Sequence, residues 1–563
     1  MIESLPHTFS VLRVLYRQFA FRIVELDSLS SKADVVKLLG QLISVLLMFS
    51  LIVMFGGIIL GNTKMAPQLQ QIFCWTMEYH LLSGTMLVSG LFTLLGWDAL
   101  LPDRKDVFVL GPLPVKPATL CLAKTGASCS IVLLAAFVLN CASGLIWPAV
   151  LAPSGLLATL QSYLVYWLTQ IFATIFLFAS VLAIQSVATL LLSRTLFLRV
   201  SAMLQVLLFT TLLATFFLRP GAVAPEQLAL QPAGSHISWF PPYCFTAIFF
   251  QMQGTLPASA SSVAIHGWIL LAGAVAASGI GSVALYANLL SRIAASADVI
   301  KTRFSPKRLP MFGNSLMGPL LLFSSRSLFR SRQQKLLPAF YIGIGSAILF
   351  AMFGLLHVQN NRALLQPGMS LQFQASTIVM MTVVVLGLRV GFSFPVLLHA
   401  NWVFRIHQIR ITPAYLNASR YTLISLTVLP VCLVSVVYGL FVEPAASCCE
   451  HVLLLALYGI LLASICLYGN RSIPYTCSYL PGTAQMPFLF WGSVILFLPL
   501  LEAVTRTERL ILTSTTETLV TAAILLFAVG ILEWLNRTLG ASEELRFDEL
   551  PEAEVVSLGL TVG

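Results

Sequence analysis

Long apolar stretches recur along the whole chain, and each is near or above the roughly 20 residues that an α-helix needs to cross a membrane. Of its 563 residues, 58% are hydrophobic and only 10% are charged, against about 25% charged in an average soluble domain. A soluble fold of this length leaves too much surface in water to hide so many apolar side chains. The pattern therefore predicts an all-α, polytopic helical membrane protein. It argues against a soluble enzyme, a disordered chain and a nucleic-acid-binding domain.

Twelve spans are predicted from these stretches, and they divide into two sets of six. The first six cover residues 38–60, 72–96, 119–146, 159–192, 199–218 and 262–290. The second six cover residues 337–356, 373–398, 421–441, 452–469, 486–504 and 518–536.

Segments that are more polar than the spans lie before, between and after the two six-span halves, which cover residues 38–290 and 337–536. Residues 1–37 carry arginines between apolar residues at helical spacing, which predicts an amphipathic helix in the membrane interface and not a cleaved signal peptide. Residues 291–336 form a basic cytoplasmic linker whose second part repeats that pattern. Residues 537–563 are acidic, and we expect them to be a solvated cytoplasmic tail.

The basic residues indicate how the chain is oriented. If the N-terminus faces the cytoplasm, 26 of the 32 Lys and Arg residues fall in inside segments and five in outside loops, while Arg389 lies within a span. Such a bias is typical of cytoplasmic loops. It predicts that both termini face the cytoplasm, and it accounts for the net charge of +10 without an acidic ligand or a nucleic acid.

Two loops support an internal repeat. Val115-Lys-Pro-Ala-Thr-Leu120 precedes the third span, and Ile411-Thr-Pro-Ala-Tyr-Leu416 precedes the ninth, at a constant offset of 296 positions. The same offset places spans 7 to 10 close to where the apolar stretches lie. Because each half has an even number of spans, the halves would be parallel repeats about an axis along the membrane normal.

The loop at 102–124 begins with a charged cluster and continues into a short apolar turn, a Pro-rich stop and a new helix. Rigid turns on both sides would hold a short helix at the membrane surface, where it can transmit force from a soluble partner. An ordinary ordered cytoplasmic loop is the alternative.

This loop resembles that of the permeases of ABC exporters of the second type. The resemblance rests on Asp103, Arg104, Lys105, Leu110, Leu113, Pro114, Val115, Leu120 and Lys124. It implies that residues 102–118 and 399–414 are the two elements that couple the permease to a separate ATPase subunit, present in two copies. Further candidates in or beside these elements are Pro117, Arg405, Arg410, Pro413 and Arg420. The second loop lacks the acidic residues of the first.

No GxxxxGK[ST] phosphate-binding loop occurs in the sequence, so we do not expect this chain to hydrolyse ATP in that way. We expect no enzyme activity and no cofactor or metal on this chain; ATP and magnesium would bind to the partner subunit. The cysteines and histidines are scattered, without the spacing of a zinc site or of a disulfide framework. A bacterial cytoplasmic membrane is the expected location, with membrane lipids as further partners.

Polar residues within spans are functional candidates because they are costly to bury in lipid. Arg389 would pair with a carboxylate, bind a lipid headgroup or snorkel to the interface, whereas Glu78 and His80 would be hydrated near the outer surface. A candidate outer gate is the sequence Trp239-Phe240-Pro241-Pro242-Tyr243 in the loop before span 6. Aromatic residues beside prolines suit a re-entrant or interfacial helix, or else an aromatic belt.

Two other functions remain open. A secondary transporter of the major facilitator type also has six plus six spans, and it would work without ATP but need an ion gradient. A non-transport membrane subunit would purify with many partners but no ATPase.

The predicted orientation can be tested by labelling single cysteines introduced at 301–308. We expect a membrane-impermeant thiol reagent to label them only after the membrane is opened, because nine basic residues hold this linker in the cytoplasm. A cysteine at Lys64 serves as the outside control. Labelling of 301–308 in intact cells would contradict the orientation.

Overall fold

The computed structural model describes residues 5–24, 32–61, 67–100, 115–152, 155–218, 236–295, 317–359, 371–394, 401, 413–469, 473–476, 499, 501–512 and 514–540. All regular structure in these residues is helical, and none of them lies in a β-strand. The described residues divide into two compact units, the first up to residue 295 and the second from residue 317.

The first unit contains ten α-helices among the described residues. They are α1 (Leu5–Val24), α2 (Lys32–Gly61), α3 (Pro67–Leu95), α4 (Trp97–Leu100), α5 (Pro117–Asn140), α6 (Ser143–Leu151), α7 (Leu156–Leu191), α8 (Arg194–Leu218), α9 (Pro241–Gln253) and α10 (Ser261–Ala295). The core forms where α3, α7, α9 and α10 meet, and it is rich in aromatic side chains. α1 packs against α5, and α2 packs against α5 and α6.

The carboxyl end of α3 lies inside the first unit, where its last carbonyl groups need hydrogen-bond donors. Gln205 of α8 donates to the carbonyl of Leu94 near the end of α3 (2.7 Å), and Gln185 of α7 donates to that of Trp97, the first residue of α4 (2.8 Å). Side-chain amides therefore join α8 to α3 and α7 to α4. The indole of Trp97 is buried and donates to Ser201 (2.8 Å).

α9 is too short to cross a membrane but is buried along most of its length. Its 13 residues span about 20 Å, whereas the hydrocarbon core is about 30 Å thick. Pro241 and Pro242 begin it, and Gly254 ends it in the left-handed conformation with φ of 78°, which glycine adopts without strain. It packs against α3, α7 and α10.

The second unit contains eight α-helices among the described residues. They are α11 (Met317–Arg330), α12 (Arg332–Gln359), α13 (Leu371–Gly391), α14 (Pro413–Leu426), α15 (Val428–Val442), α16 (Ala445–Cys466), α17 over residues 501–511, and α18 (Thr515–Gly540). The central helix is α13, which packs against α12, α15 and α16. α11 packs against α14, and α16 against α18.

Eight helical stretches among the described residues are long and apolar enough to cross a membrane, and one of them runs through both α14 and α15. Their apolar parts are Gly40–Ile59, Pro117–Asn140, Leu156–Leu191, Ser261–Leu285, Phe373–Gly391, Asn417–Phe441, Ala445–Cys466 and Thr515–Asn536. They correspond to the predicted spans 1, 3, 4, 6, 8, 9, 10 and 12. Predicted spans 5 and 7 coincide with shorter apolar helices, Val200–Phe216 and Gln334–Leu349.

The two remaining predicted spans have different outcomes. Span 2 is a continuous helix, α3, but its polar and charged side chains leave it outside the set of long apolar helices. Most of span 11, at 486–504, lies outside the described residues.

The apolar helices expose large hydrophobic side chains that a soluble protein would cover. Phe441 is 87% exposed, Leu157 82% and Leu191 79%. Exposed apolar surface on this scale is unfavourable in water and favourable against lipid chains. Together with the eight long apolar helices, it identifies the chain as an integral membrane protein of the helical class.

The contact between α9 and α10 can be tested at Gly267. A Cβ atom there would lie 3.0 Å from the backbone oxygen of Cys244, which cannot move without shifting α9. We expect Gly267→Val to destabilise the first unit by about 1–3 kcal/mol, measured as a lower melting temperature in detergent. Gly273→Val on the same helix is the control, because no atom lies within 4 Å of a Cβ there. Equal melting temperatures for the two variants would contradict this packing.

Candidate functional site

The first predicted coupling element is only partly described. Its residues Asp103, Arg104, Lys105, Leu110 and Pro114 lie outside the described residues. Directly after them, Pro117 is the first residue of α5, a position where the missing N–H of proline costs nothing. The charged cluster therefore precedes a rigid helix start by about ten residues.

Lys124, the last basic residue of this element, lies at the contact between α1 and α5. It is only 6% exposed, and its Nζ atom lies 5.5 Å from the centre of the Phe19 ring of α1. Buried Leu15 adds an apolar contact, and the hydroxyl of Tyr16 donates to Ser130 of α5 (2.8 Å). α1 is thus fixed along the first turns of α5.

The opposite face of α1 is open and mixed in character. Arg13 and Arg17 are exposed, together with the apolar residues Val14 and Phe21. A helix with basic and apolar side chains on its free face suits the headgroup region of a membrane. The interfacial position predicted for residues 1–37 stays a prediction.

In the second predicted coupling element, as in the first, the structure describes the carboxyl-terminal end, where a helix begins at a proline. Arg405 and Arg410 lie outside the described residues, and Pro413 is the first residue of α14. Arg420, two turns further along α14, forms a 2.8 Å ion pair with Glu533 of α18. This basic residue therefore joins two helices of the second unit.

A short turn at residues 473–476 braces the chain on the amino-terminal side of this second element. The side-chain amide of Asn401 donates to the carbonyl of Thr476 (2.7 Å), and the backbone N–H of Tyr475 donates to the carbonyl of Phe392 (2.8 Å). Tyr475 is buried and has a φ of 67°, which is unfavourable for a residue with a large side chain. The hydrogen bonds hold it in that conformation.

Arg389 takes part in a helix-to-helix contact. Its Nε atom donates to the carbonyl of Cys466 (2.8 Å) at the end of α16, and Nη1 donates to Ser393 (3.0 Å). A cation at the carboxyl end of a helix is favoured by the helix dipole. This contact holds α13 against α16, and the roles predicted for Arg389 stay predictions.

Glu78 and His80 lie in the first unit on α3. The Glu78 side chain is fully buried, and neither carboxylate oxygen has a hydrogen-bond partner among the described residues. The Nδ1 atom of His80 lies 2.5 Å from the carbonyl of Thr76 on the same helix. The burial of Glu78 differs from the outer-surface hydration predicted for it, because α3 turns this side chain towards α7.

Near Glu78, polar side chains link α3, α5 and α7. The hydroxyl of Tyr166 donates to Oδ1 of Asn140 (2.9 Å), whose Nδ2 donates to Thr85 (2.8 Å). All three are buried, and the Glu78 carboxylate is near enough to Tyr166 to interact with it electrostatically. A buried polar network is therefore built beside an unpaired acid.

The predicted outer gate residues lie at the start of α9. Trp239 is 41% exposed and stacks on His266 of α10, with the two ring centres 4.0 Å apart. Tyr243 is fully buried and stacks on Tyr79 of α3 at 4.7 Å. Phe240, Pro241 and Pro242 form the bend between these two environments.

A second buried network was missed by the sequence analysis. In the second unit, Nε2 of His451 lies 2.8 Å from the hydroxyl of Thr377, and Nδ1 lies 2.6 Å from a carboxylate oxygen of Glu508. The network joins α13, α16 and α17. The sequence signal was weak, because the three residues are far apart in the chain and Glu508 was assigned to an outside loop.

The hydrogens of this network can be assigned from its geometry. The hydroxyl of Thr377 lies within reach of the carbonyls of Phe373 and Gln374 and donates to one of them. It then accepts from Nε2 of His451, so one further proton lies between Nδ1 and Glu508. Because the hydroxyl hydrogen is engaged by the helix, the arrangement suits a structural link better than a nucleophile.

No protein-family model matches the chain, and no curated protein and no solved structure matches it. Among the described residues, no group of three His, Cys, Asp or Glu side chains is arranged to hold a metal ion. The class of the molecule therefore follows from its long apolar helices and their exposed hydrophobic side chains alone.

The link between His451 and Glu508 can be tested by replacing the acid. We expect Glu508→Ala to destabilise the protein by about 1–3 kcal/mol, because it leaves a buried polar ring without its partner. Glu502→Ala on the same helix is the control: its ion pair with Arg506 is exposed and worth about 1 kcal/mol at most. Melting temperatures in detergent measure both, and similar values would contradict the link.

Proposed function

We propose that this chain is the transmembrane permease of an ATP-driven ABC exporter, working with a separate ATPase subunit in two copies. In this proposal its twelve spans form two parallel six-helix repeats, with both termini in the cytoplasm of a bacterium. The permease would move its substrate by alternating access, driven from the cytoplasmic side.

The observation that carries the proposal is a pair of helices that recurs in both units. In the first unit, the basic amphipathic helix α1 packs against α5, which begins at Pro117. In the second, α11 packs against α14, which begins at Pro413, 296 positions later. Each of the two proline-started helices follows one predicted coupling element.

Such a pair has the mechanical properties that coupling requires. Proline fixes the start of the long helix, so movement of the preceding loop is passed to the helix and not absorbed by it. The amphipathic helix provides a support in the membrane interface, and Lys124 and Phe19 fasten the two in the first unit. A force applied from the cytoplasm would therefore reach the spans.

Other helix positions support the duplication. α3 ends at Leu95 and α13 ends at Gly391, again 296 positions apart. α3 packs against α7 as α13 packs against α16, and α7 packs against α10 as α16 packs against α18. The repeat is incomplete, because α2 packs against α5 and α6, whereas α12 packs against α13.

An outer gate formed by α9 completes the proposed pathway. Trp239 is exposed, and Tyr243 is buried against Tyr79, so the start of α9 joins the outer surface to the core of the first unit. In this proposal, a change in the packing of α9 against α3, α7 and α10 would open or close the pathway. No corresponding helix occurs among the described residues of the second unit.

Purification from native membranes tests the proposal most directly. The chain should purify in mild detergent with a polypeptide that contains a Walker motif, and the complex should hydrolyse ATP while the chain alone does not. Transport that needs only an ion gradient would favour the secondary transporter instead. A complex with many partners and no ATPase would favour a non-transport subunit.

A charge reversal in the first coupling element gives a sharper test. We expect Asp103→Lys combined with Arg104→Glu and Lys105→Glu to abolish co-purification of the ATPase, because like charges then face the docking surface. The melting temperature should stay unchanged. Lys301→Glu combined with Arg303→Glu in the linker is the matched control, which should keep the ATPase bound. Retention of the ATPase by the first variant would contradict its role in coupling.

A further inference from the structure

Three buried side chains on facing helices of the first unit have polar atoms without a hydrogen-bond partner among the described residues. They are Nε1 of Trp75, both carboxylate oxygens of Glu78, and Oε1 of the Gln170 amide, whose Nε2 lies on the side of the Tyr166 hydroxyl. Their exposed fractions are 2%, 0% and 3%. Buried polar groups are nearly always hydrogen-bonded in proteins, so several orphaned groups together indicate that something else binds them.

These side chains belong to one place in the fold. Trp75 and Glu78 are three residues apart on α3, and Tyr166 and Gln170 are four apart on α7, so each pair shares one face of its helix. α3 packs against α7, and Glu78 interacts electrostatically with Tyr166. The unpaired groups therefore converge on the contact between the two helices.

The Glu78 carboxyl group has to be neutralised where it lies. A carboxylate without a partner is very costly in an apolar interior. None of the ion pairs among the described residues involves Glu78. The group is therefore neutralised either by a proton or by the positive charge of a bound species, which can replace that proton.

The surrounding side chains select the kind of cation. A metal ion such as calcium needs six or more oxygen ligands, whereas the buried core of the first unit, in which α3 and α7 meet, is rich in aromatic rings, including Trp75, Tyr79, Tyr166 and Tyr243. Aromatic faces attract organic cations. The unpaired indole N–H and the Gln170 amide add a donor and an acceptor for a polar group on the same molecule.

We propose that the contact between α3 and α7 is a binding site for an organic amine, whose protonated nitrogen pairs with Glu78 while its apolar part lies against the aromatic side chains. The site belongs to this chain alone and does not depend on an ATPase partner. α9 closes it, since Tyr243 stacks on Tyr79 and Phe250 stacks on Trp75, with ring centres 5.3 Å apart in the second pair.

Two probes of nearly equal shape separate charge from apolar attraction. Radiolabelled 2-phenylethylamine, which is protonated at neutral pH, should bind the purified full-length chain saturably in detergent. The neutral 2-phenylethanol should not. Because a charge-assisted hydrogen bond is lost, Glu78→Gln should weaken amine binding about tenfold or more. Glu502→Gln, at an exposed acid of the second unit, should leave binding unchanged.

A chemical measurement keeps the proposal testable if Glu78→Gln does not fold. A hydrophobic carbodiimide should modify Glu78 in the wild-type chain, and saturating 2-phenylethylamine should protect it, whereas 2-phenylethanol should not. The proposal fails if the amine does not bind saturably, if Glu78→Gln binds it equally well, or if the carbodiimide reaction is the same with and without amine. The last result would indicate that a proton alone neutralises Glu78.

Discussion

Unpaired backbone groups are not tolerated in the interior of a membrane protein, and this constraint explains most of the polar side chains seen between the helices. A helix pairs its own N–H and C=O groups except at its ends, where lipid offers no replacement for water. In this chain, long polar side chains from neighbouring helices close the ends. Gln205 does so for α3, Arg389 for α16, Gln253 for Leu151 of α6, and Gln334 for the turn after α13.

This constraint also separates structural from functional polar residues. Arg389 and Glu78 are equally conspicuous in the sequence, since each is charged and lies within a predicted span. The guanidinium of Arg389 meets a carbonyl at a helix end, so its presence is explained by the fold. Glu78 meets no such group among the described residues and remains without a structural explanation. The polar residue that packing does not explain is therefore the better candidate for binding.

The sequence predicted the helical class and the positions of eight long apolar helices, because the length of an apolar run is set by membrane thickness. Local signals were equally informative at Pro117 and Pro413, which begin α5 and α14 as their chemistry suggests. The sequence could not predict the network of Thr377, His451 and Glu508. Their positions differ by 74 and 57 residues, and only tertiary packing brings them together.

The burial of Glu78 was missed for a related reason. Its distance from the start of α3 places it near the outer surface, where hydration is the expected state. Which face of α3 meets α7 depends on the rotation of the helix, and the apolar residues around Glu78 do not form a clear stripe. The same limit applies to α9, whose aromatic residues are compatible with either an aromatic belt or a buried helix.

α9 is held in the first unit by hydrogen bonds from two neighbouring helices. The side chains that surround its carboxyl end come from separate helices: Gln161 of α7 donates to the carbonyl of Met252, and Trp268 of α10 donates to Gln251. The carboxyl end of α9 is thus tied to α7 and to α10 at once, so a displacement of α9 would disturb its contacts with both helices.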